Sequence, residues 1–148
     1  MNQTQPRVKC IIYDLDGTLF GETLFPHAEK ILETIHQLPD VKQALATFNP
    51  YASFYCSRYG LDKYFTKICS GRKKDFKVSY VREIVKHYNT TGFPLLENEC
   101  LFVDDDPDNI REVGKQTQIV CVKAEPGTGI QFSQIHQYFV LPPHISQP

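Results

Sequence analysis

No stretch of this chain is long and apolar enough to cross a bilayer, which takes ~20 consecutive residues as a helix. The start, Met1 to Arg7, is polar and lacks the apolar core of a secretory signal, so the expectation is a soluble, cytoplasmic protein with no membrane partner. Net charge is −1, which gives no global attraction to nucleic acid or anionic lipid. The cysteines, Cys10, Cys56, Cys69, Cys100 and Cys121, are odd in number and lack C-x-x-C spacing. They read as buried free thiols in a reducing compartment rather than as a disulfide framework or a zinc site. The histidines show no metal-ligand spacing either. Internal repeats, low-complexity segments and breaks in composition are absent as well. With 148 residues and 41% hydrophobic content, the chain suits one compact domain over residues 7–140, with tails at 1–6 and 141–148.

The chain is organised around Ile11-Ile12-Tyr13-Asp14-Leu15-Asp16-Gly17-Thr18. An apolar run from Val8 to Tyr13 reads as a strand buried on both faces, and it stops at two aspartates. In open α/β sheets ligands bind outside the carboxyl ends of the strands, so acids placed there face a crevice. Their spacing sends both side chains the same way in extended backbone, and adjacent carboxylates repel unless a cation lies between them. Taken alone, an Asp-x-Asp after an apolar run is more often a solvated turn.

Further along, Thr18 to Pro26 reads as a tight loop or small hairpin beside the crevice. Pro26 opens a helix whose apolar positions Ala28, Ile31, Leu32 and Ile35 recur at helical spacing. A short strand ends at Thr47, followed by the turn Asn49-Pro50. A helix from about Tyr51 to Tyr59, with Phe54, Tyr55 and Leu61 facing inward, is closed by Gly60 as a left-handed cap. A third strand spans Phe65 to Cys69. Asp75 then suits an N-cap, with Phe76, Tyr80, Ile84 and Tyr88 as the inner stripe of a helix. A fourth strand, Cys100 to Val103, again ends in acids, Asp104-Asp105-Asp106, and Pro107 opens the next helix. Ile119 to Val122 makes a fifth strand, and Ile130, Ile135 and Phe139 recur in a last helix. This alternation predicts an α/β three-layer sandwich: a Rossmann-like parallel sheet of about five strands with helices on both faces.

Strand ends and adjacent turns thus carry a matched set of polar groups: Asp14 and Asp16, Thr47 with Asn49, Lys77, then Asp104 and Asp105. Their order resembles the haloacid dehalogenase superfamily of phosphohydrolases, and within it the short magnesium-dependent phosphatases. The first motif of that family is matched by Asp14-Leu15-Asp16-Gly17-Thr18, the second by Thr47, the third by Lys77 and the fourth by Asp104-Asp105. The resemblance runs from about Val8 to Phe139.

It implies a Mg²⁺-dependent phosphomonoester hydrolase working through an aspartyl-phosphate. Asp14 is the implied nucleophile, and Asp16 the acid that protonates the leaving group and then activates water. Asp14, Asp104 and the backbone carbonyl of Asp16 are the implied metal contacts, with Asp105 or Asp108 as a further acidic partner. Thr47, Asn49 and Lys77 are the implied phosphate binders. For Lys77 the plain alternative is a surface lysine, with Lys73 and Lys74 as rivals; for Asp106 and Asp108 it is neutralising the positive end of the following helix. A catalytically idle interaction protein on the same fold is the reading from another class, although such a relative would be expected to lose Asp14 or Asp16.

The gaps Thr18 to Thr47 and Thr47 to Lys77 leave no room for a cap domain. An open site is compatible with a phosphoprotein, a nucleic-acid end or a small phosphate ester as the phosphorylated partner. Lysines and arginines concentrate from Arg58 to Lys77, and Arg72, Lys73 and Lys74 are expected at the mouth of the site, where they could hold flanking phosphates or form a solvated loop.

Overall fold

In the computed structural model, which describes residues 7–72 and 75–148, the apolar runs form five parallel strands. They are β1 (Cys10–Tyr13), β2 (Lys42–Thr47), β3 (Lys67–Ser70), β4 (Cys100–Asp104) and β5 (Val120–Lys123). The strand order is β3-β2-β1-β4-β5, with β1 in the centre. Between them run α1 (Pro26–His36), α2 (Ala52–Arg58), α3 (Val78–Thr90) and α4 (Pro107–Gln116), and a short α5 (Phe132–Ile135) follows β5.

The central strands β1 and β4 are apolar at nearly every position because each face is covered, whereas the edge strands β3 and β5 are only partly buried. Ile11, Tyr13, Leu45, Leu101 and Val103 point to one side, where they meet Ile31, Leu32 and Ile35 of α1 and Ala52 and Cys56 of α2. The alternate residues Ile12, Ala44, Ala46 and Phe102 point to the other side and meet Val81 and Ile84 of α3 and Val113 of α4. The result is three layers around two cores. The chain steps outward from β1 through β2 to β3, then crosses back to β4 and β5. The crevice at the carboxyl ends of β1 and β4 is therefore the switch point where such sheets bind ligands.

Nothing larger than one helix and its connections separates the polar strand ends. Thr18 to Phe25 folds as a small hairpin in which Phe20 pairs with Leu24, and the described residues between Thr47 and Asp75 hold α2 and β3. The described residues hold no cap domain. The cysteines among the described residues are free, and four of them are buried. No helix there is long and apolar enough to cross a membrane.

Several local expectations are corrected. Phe54 and Tyr55 do not face the core; both are exposed, and the inner positions of α2 are Ala52 and Cys56. The helix lies close to the sheet, so small residues fill the contact and the rings are turned outward. The stripe of α3 is Val78, Val81, Ile84 and Tyr88 rather than one running through Phe76 and Tyr80. Its cause is a left-handed turn at Asp75–Lys77 that moves the N-cap from Asp75 to Lys77 and leaves Phe76 exposed. The last predicted helix is shorter, α5 followed by a 3₁₀ turn at His136–Tyr138. The third and fifth strands each lie slightly later than expected.

Candidate functional site

The parallel register of β1 and β4 places Tyr13 beside Val103, so the next residues, Asp14 and Asp104, emerge side by side. Side-chain alternation turns both toward the face covered by α3, and there they meet one cation. The Lys77 Nζ donates to Asp14 Oδ1 at 2.6 Å and to Asp104 Oδ2 at 2.7 Å. It also sits 5.2 Å from the centre of the Phe48 ring. Lys77 is 1% exposed, so the surface-lysine alternative does not hold for it. A lysine this deeply buried needs paired carboxylates to offset its lost hydration.

Unusual backbone delivers that lysine. Asp75, Phe76 and Lys77 have φ of 37°, 52° and 71°, and among the described residues they are the non-glycine positions with positive φ. The left-handed region costs a side-chain-bearing residue of order 1 kcal/mol or more, so three in a row persist only where the surroundings hold them. Asp75 contributes by accepting from the Ser79 N–H and hydroxyl, which fixes the turn against the start of α3.

The β4 side is built by ordinary means. Asp104 Oδ1 accepts from the Asp106 N–H at 2.8 Å, and Asp106 in turn caps α4 by accepting from the Asp108 N–H at 2.8 Å. Asn109 Nδ2 donates to Asp104 Oδ2 at 3.1 Å. Asp108 lies outside this cluster and pairs with Arg111 at 3.0 Å. Asp105 turns inward, over Gly17. Gly17 has φ +83°, and a Cβ there would overlap the Asp105 carboxylate.

On the β2 side, Thr47 is buried and its hydroxyl oxygen accepts from the Asn49 N–H at 3.0 Å, which leaves the hydroxyl hydrogen free to donate. Asn49 Nδ2 donates to Asp16 Oδ2 at 3.1 Å, and Asp16 is exposed. Thr18 donates to Asp14 Oδ2 at 3.3 Å.

These groups line a cavity of about 320 Å³ that includes Asp14, Asp16, Thr47, Asn49, Lys77, Asp104 and Asp105. The structure thus brings together the polar groups that the sequence singled out one strand end at a time. Arg72 is exposed on the loop before α3, while Lys73 and Lys74 lie outside the described residues. Two further lining residues, Phe48 and Asn109, carry no sequence signal of their own beyond their places next to Thr47 and one turn into α4. A second cavity of about 640 Å³ lies at the opposite, amino ends of the strands, where apolar residues such as Val41, Phe93 and Phe139 predominate. It lacks the acid cluster.

Burial pushes the Asp14 carboxyl well above the usual carboxylate range. Lys77 pulls it back, while the Asp104 charge and a hydrogen bond with Asp105 push it up again. Burial also raises Asp104, against the opposing pull of Lys77, the Asp106 N–H and Asn109. One lysine does not neutralise three acids. Asp14, Asp104 and Asp105 each offer a carboxylate oxygen within 4.8 Å of the others, an all-oxygen donor set of the kind that suits a hard divalent cation. The Asn109 Oδ1, buried and without a hydrogen-bond partner, is a further acceptor on the edge of this cluster.

Neither protein-family models nor curated proteins match this sequence. Solved structures do. The core domain of a Streptococcus pneumoniae protein, provisionally named a phosphoglycolate phosphatase, superposes with a TM-score of 0.64 at 19% identity, covering 90% of this chain and 98% of that one. A phosphatase-domain-containing N-terminal part of a Bacteroides fragilis protein, complexed with Mg, gives 0.69 at 15% identity over 93% of this chain and 41% of that one. A haloacid dehalogenase-like family hydrolase from the same Streptococcus gives 0.66 at 12% identity, with 88% and 90% covered. The chain has the fold of these proteins, a haloacid dehalogenase-like hydrolase among them.

Proposed function

We propose that the chain is a phosphomonoester hydrolase of the haloacid dehalogenase superfamily, with Asp14 as nucleophile and a Mg²⁺ ion as cofactor. The observation that carries this reading is the convergence of Asp14, Asp104 and Asp105 on a shared oxygen-lined point, with Lys77 bonded to two of them, at the switch point of a sheet with this fold. Asp14, Asp104 and Asp105 would hold the ion, joined by the backbone carbonyl of Asp16. When bound, Mg²⁺ offsets the negative charge that otherwise keeps a carboxylate from approaching a phosphate dianion.

The chain's own groups supply the rest. Asp14 Oδ attacks phosphorus, and Lys77 holds the Asp14 carboxylate in place by its 2.6 Å bond while presenting positive charge to the phosphoryl oxygens. Thr47 donates its free hydroxyl hydrogen to one of those oxygens, and Asn49 contributes from the rim. Asp16, exposed and steered by Asn49, gives its proton to the departing alcohol oxygen and then takes one from the water that attacks the aspartyl-phosphate. The aspartyl ester divides one displacement into two, and inorganic phosphate leaves with Asp14 regenerated. Retention of both Asp14 and Asp16 favours this reading over an idle interaction protein.

The test is hydrolysis of an aryl phosphate by the wild type with Mg²⁺, in excess chelator, and by Asp14→Asn with Mg²⁺. The expected outcome is turnover in the first condition alone, with Asp14→Asn reduced by several orders of magnitude and still folded. Full activity in chelator would sink the proposal.

A further inference from the structure

The exposed face of α2 carries an aromatic stripe that the proposed chemistry leaves unused. Tyr51 and Phe54 are 67% and 61% exposed, and Tyr55 and Arg58 are exposed as well. Helical spacing puts these positions on one side, away from Ala52 and Cys56. Contiguous apolar rings left in water on a small domain mark a surface that something else covers.

Two contacts tie the stripe to the side of the site that Asp16 occupies. Asn49 Oδ1 accepts from the Tyr51 N–H at 2.8 Å while its Nδ2 donates to Asp16 at 3.1 Å, so one side chain joins the base of the stripe to the acid that serves the leaving group. Phe20, on the loop after Asp16, lies 6.1 Å from Tyr55, whose ring is 5.7 Å from Phe54 and edge-on to it. Phe20 is buried, so it anchors the inner edge of Tyr55 to the Asp16 loop while Tyr51, Phe54 and Tyr55 form the exposed surface. From Thr47 to Leu61 there is no acidic residue, and Arg58 ends the stripe with a positive charge.

We propose, resting on the phosphatase reading above, that this stripe binds the end of a single-stranded nucleic acid whose terminal phosphate is removed at Asp14. Bases stack on Tyr51 and Phe54, and Arg58 meets a flanking phosphodiester, the pairing of aromatic platform and cation that single strands favour. At 1.5 Å per residue the stripe runs about 10 Å from Tyr51 to Arg58, longer than one ring. A phosphotyrosyl side chain would cover a single ring and would bring no phosphodiester to Arg58. In the reaction the bond between phosphorus and the terminal nucleoside oxygen breaks, the water oxygen ends on inorganic phosphate, and a proton ends on the freed hydroxyl.

The experiment compares kcat/KM with Mg²⁺ for 3′- and 5′-phosphorylated hexathymidylate, a phosphotyrosyl peptide and glycerol phosphate. It uses the full chain and the variants Tyr51→Ala, Phe54→Ala and Arg58→Ala, all at exposed positions. The wild type should favour one of the oligonucleotides. Each ring variant should lower the ratio of oligonucleotide to glycerol phosphate kcat/KM by about fivefold or more, as loss of a base–aromatic stack does. Arg58→Ala should flatten the salt dependence of the oligonucleotide reaction. Ratios unchanged in the ring variants, or a phosphotyrosyl peptide as the best substrate, would overturn the proposal. Hydrolysis of glycerol phosphate with no preference for either oligonucleotide overturns it and spares the phosphatase reading; no hydrolysis of any ester overturns both.

Discussion

The junction from β4 into α4 and the junction from β3 into α3 each deliver a charged group to the same crevice, by opposite means. At the first, local chemistry suffices: Asp106 caps the helix, Pro107 occupies its first turn, and the backbone that presents Asp104 and Asp105 is unstrained. At the second, three side-chain-bearing residues in succession are held in left-handed conformation, and the group they deliver is a lysine buried between two carboxylates. One junction is specified by its own sequence. The other is specified by what Lys77 touches across the sheet.

That contrast ranks the consequences of mutation. Lys77→Met should be the most damaging change, because it leaves Asp14 and Asp104 buried without their cation. Breaking such a pair from one side costs about 3–5 kcal/mol, which urea denaturation in chelator would register alongside loss of activity. A cost below 1 kcal/mol would mean that the left-handed turn stands without the ion pairs.

A second consequence concerns pH. Asp104 and Asp14 are both raised in the folded, metal-free protein. The folded state therefore binds their protons more tightly than the unfolded state. The associated stability is fully present below the unfolded aspartate value, about 3.8–3.9, and is lost as pH rises through the raised folded values. In chelator, Asp104→Asn should gain on the wild type between pH 4 and pH 7 when the two are compared by denaturant midpoint at each pH. A difference that stays flat or moves the other way would contradict the assignment.

At the ordinary junction, Asp106→Ala removes one capping acceptor and should cost about 1 kcal/mol of stability, with Lys77 and its partners undisturbed. Smallest of all is Phe76→Gly. Glycine accepts φ of 52° without strain but loosens the unfolded chain, so these effects oppose each other and the net change should lie within about 1 kcal/mol, toward stabilisation. A large loss would show that the exposed Phe76 ring, rather than the backbone, supports the turn.

The same contrast explains what was legible beforehand. The parallel sheet could be read because buried strands announce themselves as apolar runs and end at Asp14, Thr47 and Asp104. Lys77 could be singled out only through a family resemblance, since nothing local distinguishes it from Lys73 or Lys74. The start of α3 is hidden for a related reason: Asp75 does interact with Ser79, as a cap would, but Asp75, Phe76 and Lys77 form a left-handed turn that no propensity predicts. On α2, large rings such as Phe54 and Tyr55 usually pack in a core, which is what the sequence suggests for them. Their exposure departs from that rule because Ala52 and Cys56 take the inner positions of α2. Asn109 gave no signal, because its part in the site depends on α4 folding back over Asp104.

The central claim is that Asp14 itself carries the phosphoryl group, and it is tested most directly by trapping. Asp16→Asn should still form the aspartyl ester from a phosphate with a good leaving group but break it down slowly, so acid-quenched protein can be digested and weighed by mass spectrometry. The account predicts one added phosphoryl group on the peptide containing Asp14, present with Mg²⁺, absent in chelator and removed by hydroxylamine. Turnover by the wild type with no phosphoryl group on that peptide in Asp16→Asn, or turnover by Asp14→Asn at the wild-type rate, would contradict it.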